Sequence, residues 1–276
     1  MIKVDFHTHS TSSDGLLSPV EMVRRAHQNN VKYLAITDHD TISGLKEAAN
    51  EAVKLDIKFI PGIELSTNYN GESIHILGYF RDDSYNSYEF VDYLHELKNR
   101  REIRARRMVE KLKEVCNIDI SIENVIKRGK DVVARPHIAY EIIASGYPYD
   151  QDYIFDNYIG KDAPAFVPTT KLNTKEGVKL LKKYNAIVIL AHPKLIKNSK
   201  IEDFLDMGFD GIEAIYYQNT KDEEKKFLSI INEHNLLTSV GSDCHGNFDS
   251  DTRHGDIGCM PYSEDYLESF LHNLSK

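Results

Sequence analysis

Runs that read as β-strands recur along this chain with helix signals between them, which confines the fold to alternating strand and helix. Strands are expected at Ile2 to Phe6, Lys32 to Thr37, Ile57 to Ile63, Ser73 to Phe80, Ala186 to Ala191, Gly211 to Ile215 and Leu236 to Gly241. The first helix is signalled by Ser18 as cap, Pro19 at the first helical position, Glu21 completing a capping box, and an apolar stripe of Val20, Val23 and Ala26. Further helices are expected at Ser43 to Leu55, Thr174 to Lys183, Ile201 to Met207, Asp222 to His234 and from Glu264 onward. A turn at Asn70-Gly71 separates two of the strands. Such alternation implies a mainly parallel sheet.

Between about Tyr88 and Val167 the alternation stops. Helices are expected there at Tyr88 to Val115, Ile122 to Arg128 and Pro136 to Ser145. The expected organisation is therefore a β/α unit over residues 1–87 and 168–276, with a helical cap over 88–167. Within the cap, Asn99 to Arg107 is strongly basic and reads as a solvated helix face opposite Leu94, Leu97, Met108 and Leu112, with direct substrate contact as the alternative.

Polar residues at metal-ligand spacings occur in six stretches, most of them where a strand ends: Asp5 to His9 with Asp14, Thr37 to Asp40, Gly62 to Ser66, Ser73 to His75, Ala191 to Pro193, and Gly241 to His245. For widely separated strand ends to meet at one pocket, a closed β/α barrel serves better than an open sheet. No GxGxxG or GxxxxGK[ST] loop argues for a nucleotide-binding sheet.

Residues two apart on a strand share a face, so His7 pairs with His9, and Asp243 with His245, while Cys244 turns away. Glu64, His75, Asp14, His39 and His192 complete nine oxygen and nitrogen donors. That is too many for one ion and implies two or three divalent ions, with Glu64 a natural bridge. Mixed imidazole and carboxylate donors suit Mn, Fe or Zn better than Ca or Mg alone. Asp5, Asp38 and Asp40 are expected behind the ligands, orienting imidazoles. His254 reads either as part of a loop near the site or as plainly solvent-exposed, Tyr216 and Tyr217 either line the pocket mouth or merely pack, and His27, His95, His234 and His272 read as surface or boundary residues.

A net charge of −9 argues against a surface that embraces nucleic acid as a whole, so an anionic substrate must be drawn locally. Three cysteines without CxxC spacing suggest neither a disulfide framework nor a thiolate zinc site, which fits a reducing, cytoplasmic setting. No run is long and apolar enough for a bilayer, no secretory leader is apparent, and no obligate protein partner is inferred.

The stretches Asp5-Phe6-His7-Thr8-His9-Ser10 with Ser13-Asp14-Gly15, Ile36 to Asp40, Pro61 to Glu64, His75 to Tyr79, Ala191-His192-Pro193 and Gly241 to Gly246 resemble, in order, the signatures of the polymerase and histidinol phosphatase (PHP) superfamily. The resemblance implies a distorted (βα)7 barrel of the PHP type with a trinuclear metal site. By that pattern one ion takes His7, His9, Glu64 and Asp243, a second Glu64, His75 and His192, and a third Asp14, His39 and His245.

Within the superfamily, the insertion and Ala134-Arg135-Pro136-His137 are similar to nucleoside 3′,5′-bisphosphate phosphatases, whose relatives also act on 5′ ends of short RNA. This implies a phosphatase that hydrolyses small phosphate monoesters by a metal-bridged hydroxide, with Arg135 and His137 as substrate-binding and catalytic residues. Arg135 would clamp phosphoryl oxygens, and His137 could protonate the leaving group. The alternatives are a histidinol phosphate phosphatase and a non-catalytic metal-binding regulatory module. Asp251-Thr252-Arg253-His254-Gly255 departs from the proline-containing stretch the resemblance leads one to expect.

Overall fold

The structure, a computed structural model, describes residues 2–129, 132–168, 172–248 and 251–276. Among them seven strands form one barrel-shaped sheet in the order β1 (Lys3–Asp5), β2 (Val31–Ile36), β3 (Lys58–Tyr69), β4 (Glu72–Phe80), β6 (Ala186–Leu190), β7 (Gly211–Tyr216) and β8 (Leu237–Gly241). A two-residue strand, β5 (Leu172–Asn173), pairs with the far end of β3. The sheet nearly closes: Thr8 beyond β1 bridges Cys244 beyond β8, and the Phe6 N–H donates to the Val240 carbonyl at 3.2 Å.

All neighbouring pairs in this order run parallel except those made by β4, which is antiparallel to both β3 and β6. The cause is local. Asn70 and Gly71 both adopt left-handed φ, 49° and 82°, the two-residue hairpin geometry that matches strand twist. The reversal matters for the site, because His75, near the start of β4, pairs with Ser66 at the end of the barrel where the parallel strands finish. β3 also runs well past the expected Ile63, so Glu64 lies inside a strand rather than at its end.

Val4, Phe6, Leu77, Tyr79, Ile187, Ile189 and Val240 are fully buried together. The Tyr79 hydroxyl donates to the Phe6 carbonyl at 2.9 Å. The closing helix α10 (Glu264–Leu274) presses Phe270 onto Phe6, ring centroids 4.6 Å apart. Outside the sheet, α1 (Pro19–Gln28) and α2 (Leu45–Lys54) cover Leu34 and Ile36, and α7 (Thr174–Lys183) and α9 (Lys221–His234) cover Leu65, Ile76, Val188 and Ile212. The α1 start is as expected, with Ser18 and Glu21 capping each other reciprocally behind Pro19. α8 (Glu202–Leu205) is shorter than expected.

The segment after β4 holds α3 (Tyr88–Cys116), α4 (Ile122–Gly129), α5 (Arg135–Ala144) and α6 (Gln151–Ile154), the last running into a π-turn at Phe155–Ile159. Met108, Leu112, Val125, Ile138, Ile142, Ile154 and Ile159 form an apolar cluster of their own here. The first turns of α3 instead join the barrel's outer layer, with Phe90 against Phe80 and Tyr184. One 29-residue helix therefore belongs to both cores.

Candidate metal centre

Glu64 is the hub of the barrel mouth. Its Oε1 lies 2.9 Å from His75 Nδ1 and 2.9 Å from His192 Nε2, and its Oε2 lies 2.9 Å from His39 Nδ1, 3.2 Å from His9 Nε2 and 3.4 Å from His7 Nε2. Asp243 Oδ1 stands 3.1 Å from His9 Nε2 and 3.4 Å from His7 Nε2. Asp14 faces His245 Nε2 at 3.3 Å, His39 Nε2 at 3.7 Å and His9 Nδ1 at 3.8 Å. All nine donors singled out from the sequence thus meet in one pocket.

Two donors each about 2.1 Å from a common ion stand about 3 to 3.5 Å apart, which is the spacing found here. Four buried side-chain atoms at this centre, His9 Nδ1, Asp14 Oδ1, His39 Nδ1 and Glu64 Oε2, face one another or His245 at 2.9 to 3.8 Å yet make no hydrogen bond of good geometry. Burying such groups unsatisfied is costly, and divalent ions would satisfy all of them at once. The residues present fit metal ions. Donor atoms within 4.8 Å of one another group as His7, His9 and Asp243; His7, Glu64 and His192; His39, Glu64 and His75; His9, Asp14, His39 and His245; and Asp243, His245 and His254.

The electrostatics follow from the crowding of unlike groups. Burial works against the charged form of His7, yet the carboxylates of Glu213, Asp243 and Glu64 hold its pKa well above the ordinary value. Burial opposes charging of His9 and His39 as well, but Asp243 and Glu64 lift the first to about 9, and Glu64 and Asp14 lift the second to about 9. Burial would push Asp14, Glu64 and Asp243 up, but the surrounding imidazoles hold all three well below the usual carboxylate range.

The orienting groups differ from expectation. Asp5 accepts backbone N–H groups of His7, Ser242 and Gly258, Asp38 accepts from Ser10 and Ser13, and Asp40 accepts the Ser66 N–H and pairs with Arg101. None of these bonds reaches an imidazole; the three aspartates hold backbone N–H groups, serine hydroxyls and Arg101 instead. The imidazole is oriented by Glu213 of β7, whose Oε1 accepts from His7 Nδ1 at 2.9 Å and whose Oε2 accepts the His192 N–H at 2.7 Å. Glu213 was not expected from the sequence. Its signal is a lone acid inside the fully buried strand Gly211–Tyr216.

Gly241 permits this arrangement, since a Cβ there would run into both Glu213 and His7. The expectation that extended-strand alternation aligns Asp243 with His245 is also corrected. β8 ends at Gly241, and Asp243 takes φ 55°. Left-handed backbone recurs at Asp40 (φ 52°) and at His192 (φ 24°), so strain collects at the mouth, where function tends to place it. Cys244 packs into the apolar cluster of Met22 and Ile257, away from the donors, as expected. Tyr216 donates its hydroxyl to Asp243 Oδ2 at 3.0 Å, whereas Tyr217 is exposed. His27, His95, His234 and His272 are all exposed.

The helical segment after β4 contributes basic groups, one of which reaches Asp40 at the mouth. The run in α3 is not simply a solvated face: Arg100, Arg106 and Arg107 point outward, but Arg101 turns in to Asp40 and to Ser66 Oγ at 3.0 Å. Arg104 donates to the Val167 carbonyl at 2.7 Å, and burial with the charges of Arg135 and Arg101 draws its pKa down to about 10. Arg135 at the start of α5 is half-buried, its guanidinium 5.4 Å from the Phe155 ring centroid. His137 is buried, with Nδ1 accepting the Ala134 N–H at 3.0 Å. Burial, with Arg101 and Arg128, lowers its pKa against the opposing pull of Asp14.

Residues 5–250 match the PHP domain family. The chain belongs to that family. It is 34% identical over 250 residues to a 5′-3′ exoribonuclease of Haemophilus influenzae, covering 88% of this chain and 90% of that one. It is 29% identical to the 3′,5′-nucleoside bisphosphate phosphatase of Chromobacterium violaceum, covering 89% and 88% of the two chains. A Bifidobacterium adolescentis structure assigned as a metal-dependent phosphoesterase superposes with a TM-score of 0.84 at 24% identity, over 99% of this chain and 96% of that one. This PHP protein is accordingly a metal-dependent hydrolase of phosphoester bonds in a nearly closed seven-strand barrel. Among its described residues no helix is long and apolar enough to cross a membrane.

Proposed function

We propose that this PHP enzyme removes phosphate from nucleoside 3′,5′-bisphosphates or from the 5′ end of short RNA. The observation that carries the reading is the pair Arg104 and Arg135, half-buried, close enough to each other and to Arg101 that burial and their charges together lower the Arg104 pKa, with no carboxylate ion-paired to either among the described residues. Uncompensated positive charge next to a metal-binding pocket is what a multiply charged phosphate ester needs. In the proposal Arg135 clamps phosphoryl oxygens. His137, whose Nδ1 is occupied as an acceptor, presents Nε2–H as a neutral donor to the same phosphate.

The nine donors His7, His9, Asp14, His39, Glu64, His75, His192, Asp243 and His245 would hold two or three ions, with Glu64 shared. Their mixture of imidazole and carboxylate favours Mn, Fe or Zn. Ions held there would lower the pKa of an attacking water and neutralise the phosphoryl oxygens. The chain's own part is to fix the donors through Glu213 and Tyr216, and to cover the substrate with residues 88–167 set over the barrel of 1–87 and 168–276. The relatives' activities on nucleotides and RNA support this substrate class over histidinol phosphate. Three unpaired cysteines suit a cytoplasmic setting.

The test is phosphate release by the Mn-loaded protein from adenosine 3′,5′-bisphosphate, AMP, histidinol phosphate and a short 5′-phosphorylated RNA. Preference for the bisphosphate or the RNA is the expected result. Preference for histidinol phosphate overturns the substrate assignment, and silence across the panel with metal bound would leave a metal-binding module. Glu64→Gln and Asp243→Asn should each abolish turnover, and retained activity in both would sink the metal-centre reading.

A further inference from the structure

His254 stands apart from the nine donors and outside the family's metal motifs, yet its surroundings are those of a ligand. Its Nδ1 lies 2.6 Å from Asp251 Oδ2. Its Nε2 points the other way and lies 3.6 Å from Asp243 Oδ2, beyond hydrogen-bonding distance but close to the separation of two donors on one ion. The ring also packs on His245, centroids 4.3 Å apart. With the Nδ1 proton engaged by a carboxylate, the neutral ring presents the Nε2 lone pair toward the centre. His7 is held in the same way, its Nδ1 on Glu213 and its Nε2 facing Asp243.

The loop is built to keep this orientation. Asp251 accepts the N–H groups of Arg253 at 2.8 Å and His254 at 3.2 Å, so carboxylate and imidazole sit on one turn. Gly255 then donates its N–H to the Ser242 carbonyl at 2.8 Å, anchoring the turn beside Asp243, and a Cβ at Gly255 would strike Tyr217 and Cys259. Asp243 can serve both neighbours. Its Oδ1 faces His7 and His9, while Oδ2 accepts from Tyr216 and keeps a second lone pair for an ion.

We propose that His254 is a tenth metal donor, contributing Nε2 to an ion shared with Asp243, and that Asp251 positions it. The proposal rests on the metal-centre reading given above. Imidazoles that ligate metals usually donate their other ring N–H to a carboxylate, and loss of that partner costs about 10- to 100-fold in affinity.

The experiment is Mn2+ titration calorimetry of the metal-stripped full-length protein, with metal content after dialysis as a second readout. Wild type should bind at least two ions; if it binds none, the metal-centre reading itself fails. His254→Ala should weaken one class of site by about tenfold or more and leave the rest unchanged, with Asp251→Asn giving a smaller loss in the same class. His254→Glu, which offers an oxygen donor in place of the lost nitrogen with a reach closer to that of Nε2, should recover part of the affinity, as filling space alone would not. Unchanged Mn2+ affinity in folded His254→Ala overturns the proposal, and a raised KM alongside it would place His254 against substrate instead.

Discussion

Glu213 carries more of this centre than its position in an apolar strand suggests. One oxygen holds the His7 ring and the other holds the backbone of His192, so a single carboxylate positions two of the proposed ligands. Glu213→Gln keeps the volume but loses a charged acceptor, and should weaken Mn2+ binding by about 10- to 100-fold with a parallel fall in turnover, read by calorimetry and phosphate release. A second expectation concerns His9 and His39, which titrate near 9 in the metal-free protein against an ordinary 6.5. Their raised folded pKa gives the metal-free protein stability that is complete below about 6.5 and lost as pH rises through about 9. Ions must displace those protons, so Mn2+ affinity should tighten across the same interval, with proton release measurable by calorimetry in two buffers. The donors themselves were legible because spacing and residue type are local properties. Glu213 and Arg101 were not, because their partners, His7 and Asp40, are distant in sequence and only the closed barrel brings them together.

The elements of the barrel were legible wherever caps and periodicity spoke, as at Ser18-Pro19 and Glu21 of α1. The expected strand at Ser73 to Phe80 was placed well, and the Asn70-Gly71 hairpin gives the physical reason for its reversal. The sharp turns at Asp243 and His192 carry no such signal, since neither residue type announces left-handed backbone there. At the end of β8, Gly241→Ala should force His7 and Glu213 apart. Overpacking of this kind costs about 1–3 kcal/mol, so a lower Tm together with lost activity is expected, whereas an active, equally stable variant would mean the strands shift freely. In α5, Arg135→Ala should raise KM for a bisphosphate substrate by about tenfold or more without changing Mn2+ affinity, because removing the proposed charge-assisted clamp costs on the order of 1.5–3 kcal/mol.

At the scale of the molecule, ten α-helices and eight strands among the described residues place one charged pocket at one end of the barrel, while α10 fills in behind Phe6. Stripping the ions with a chelator leaves three buried carboxylates facing several imidazoles, and should lower Tm by an amount that grows with the free Mn2+ used for the loaded reference. A Tm indifferent to chelation would show that the pocket is stable without ions. The overall charge of −9 gave no hint of the inward-facing arginines, because net charge averages over a whole surface and these groups are partly buried.

The barrel is joined at β1 and β8, where a single backbone bridge, Thr8 to Cys244, and a few flanking hydrogen bonds hold the two ends of the chain together. The donors His7, His9, Asp243 and His245 lie on either side of that joint. An ion gripping both sides would act as a removable cross-link closing a loop nearly as long as the protein, the case in which loop-closure entropy is largest. Catalytic readiness and ring closure would then be one event. On metal removal, backbone amides near Phe6 and Asp243 should be the first to exchange with solvent, ahead of the hairpin that carries Glu64 and His75.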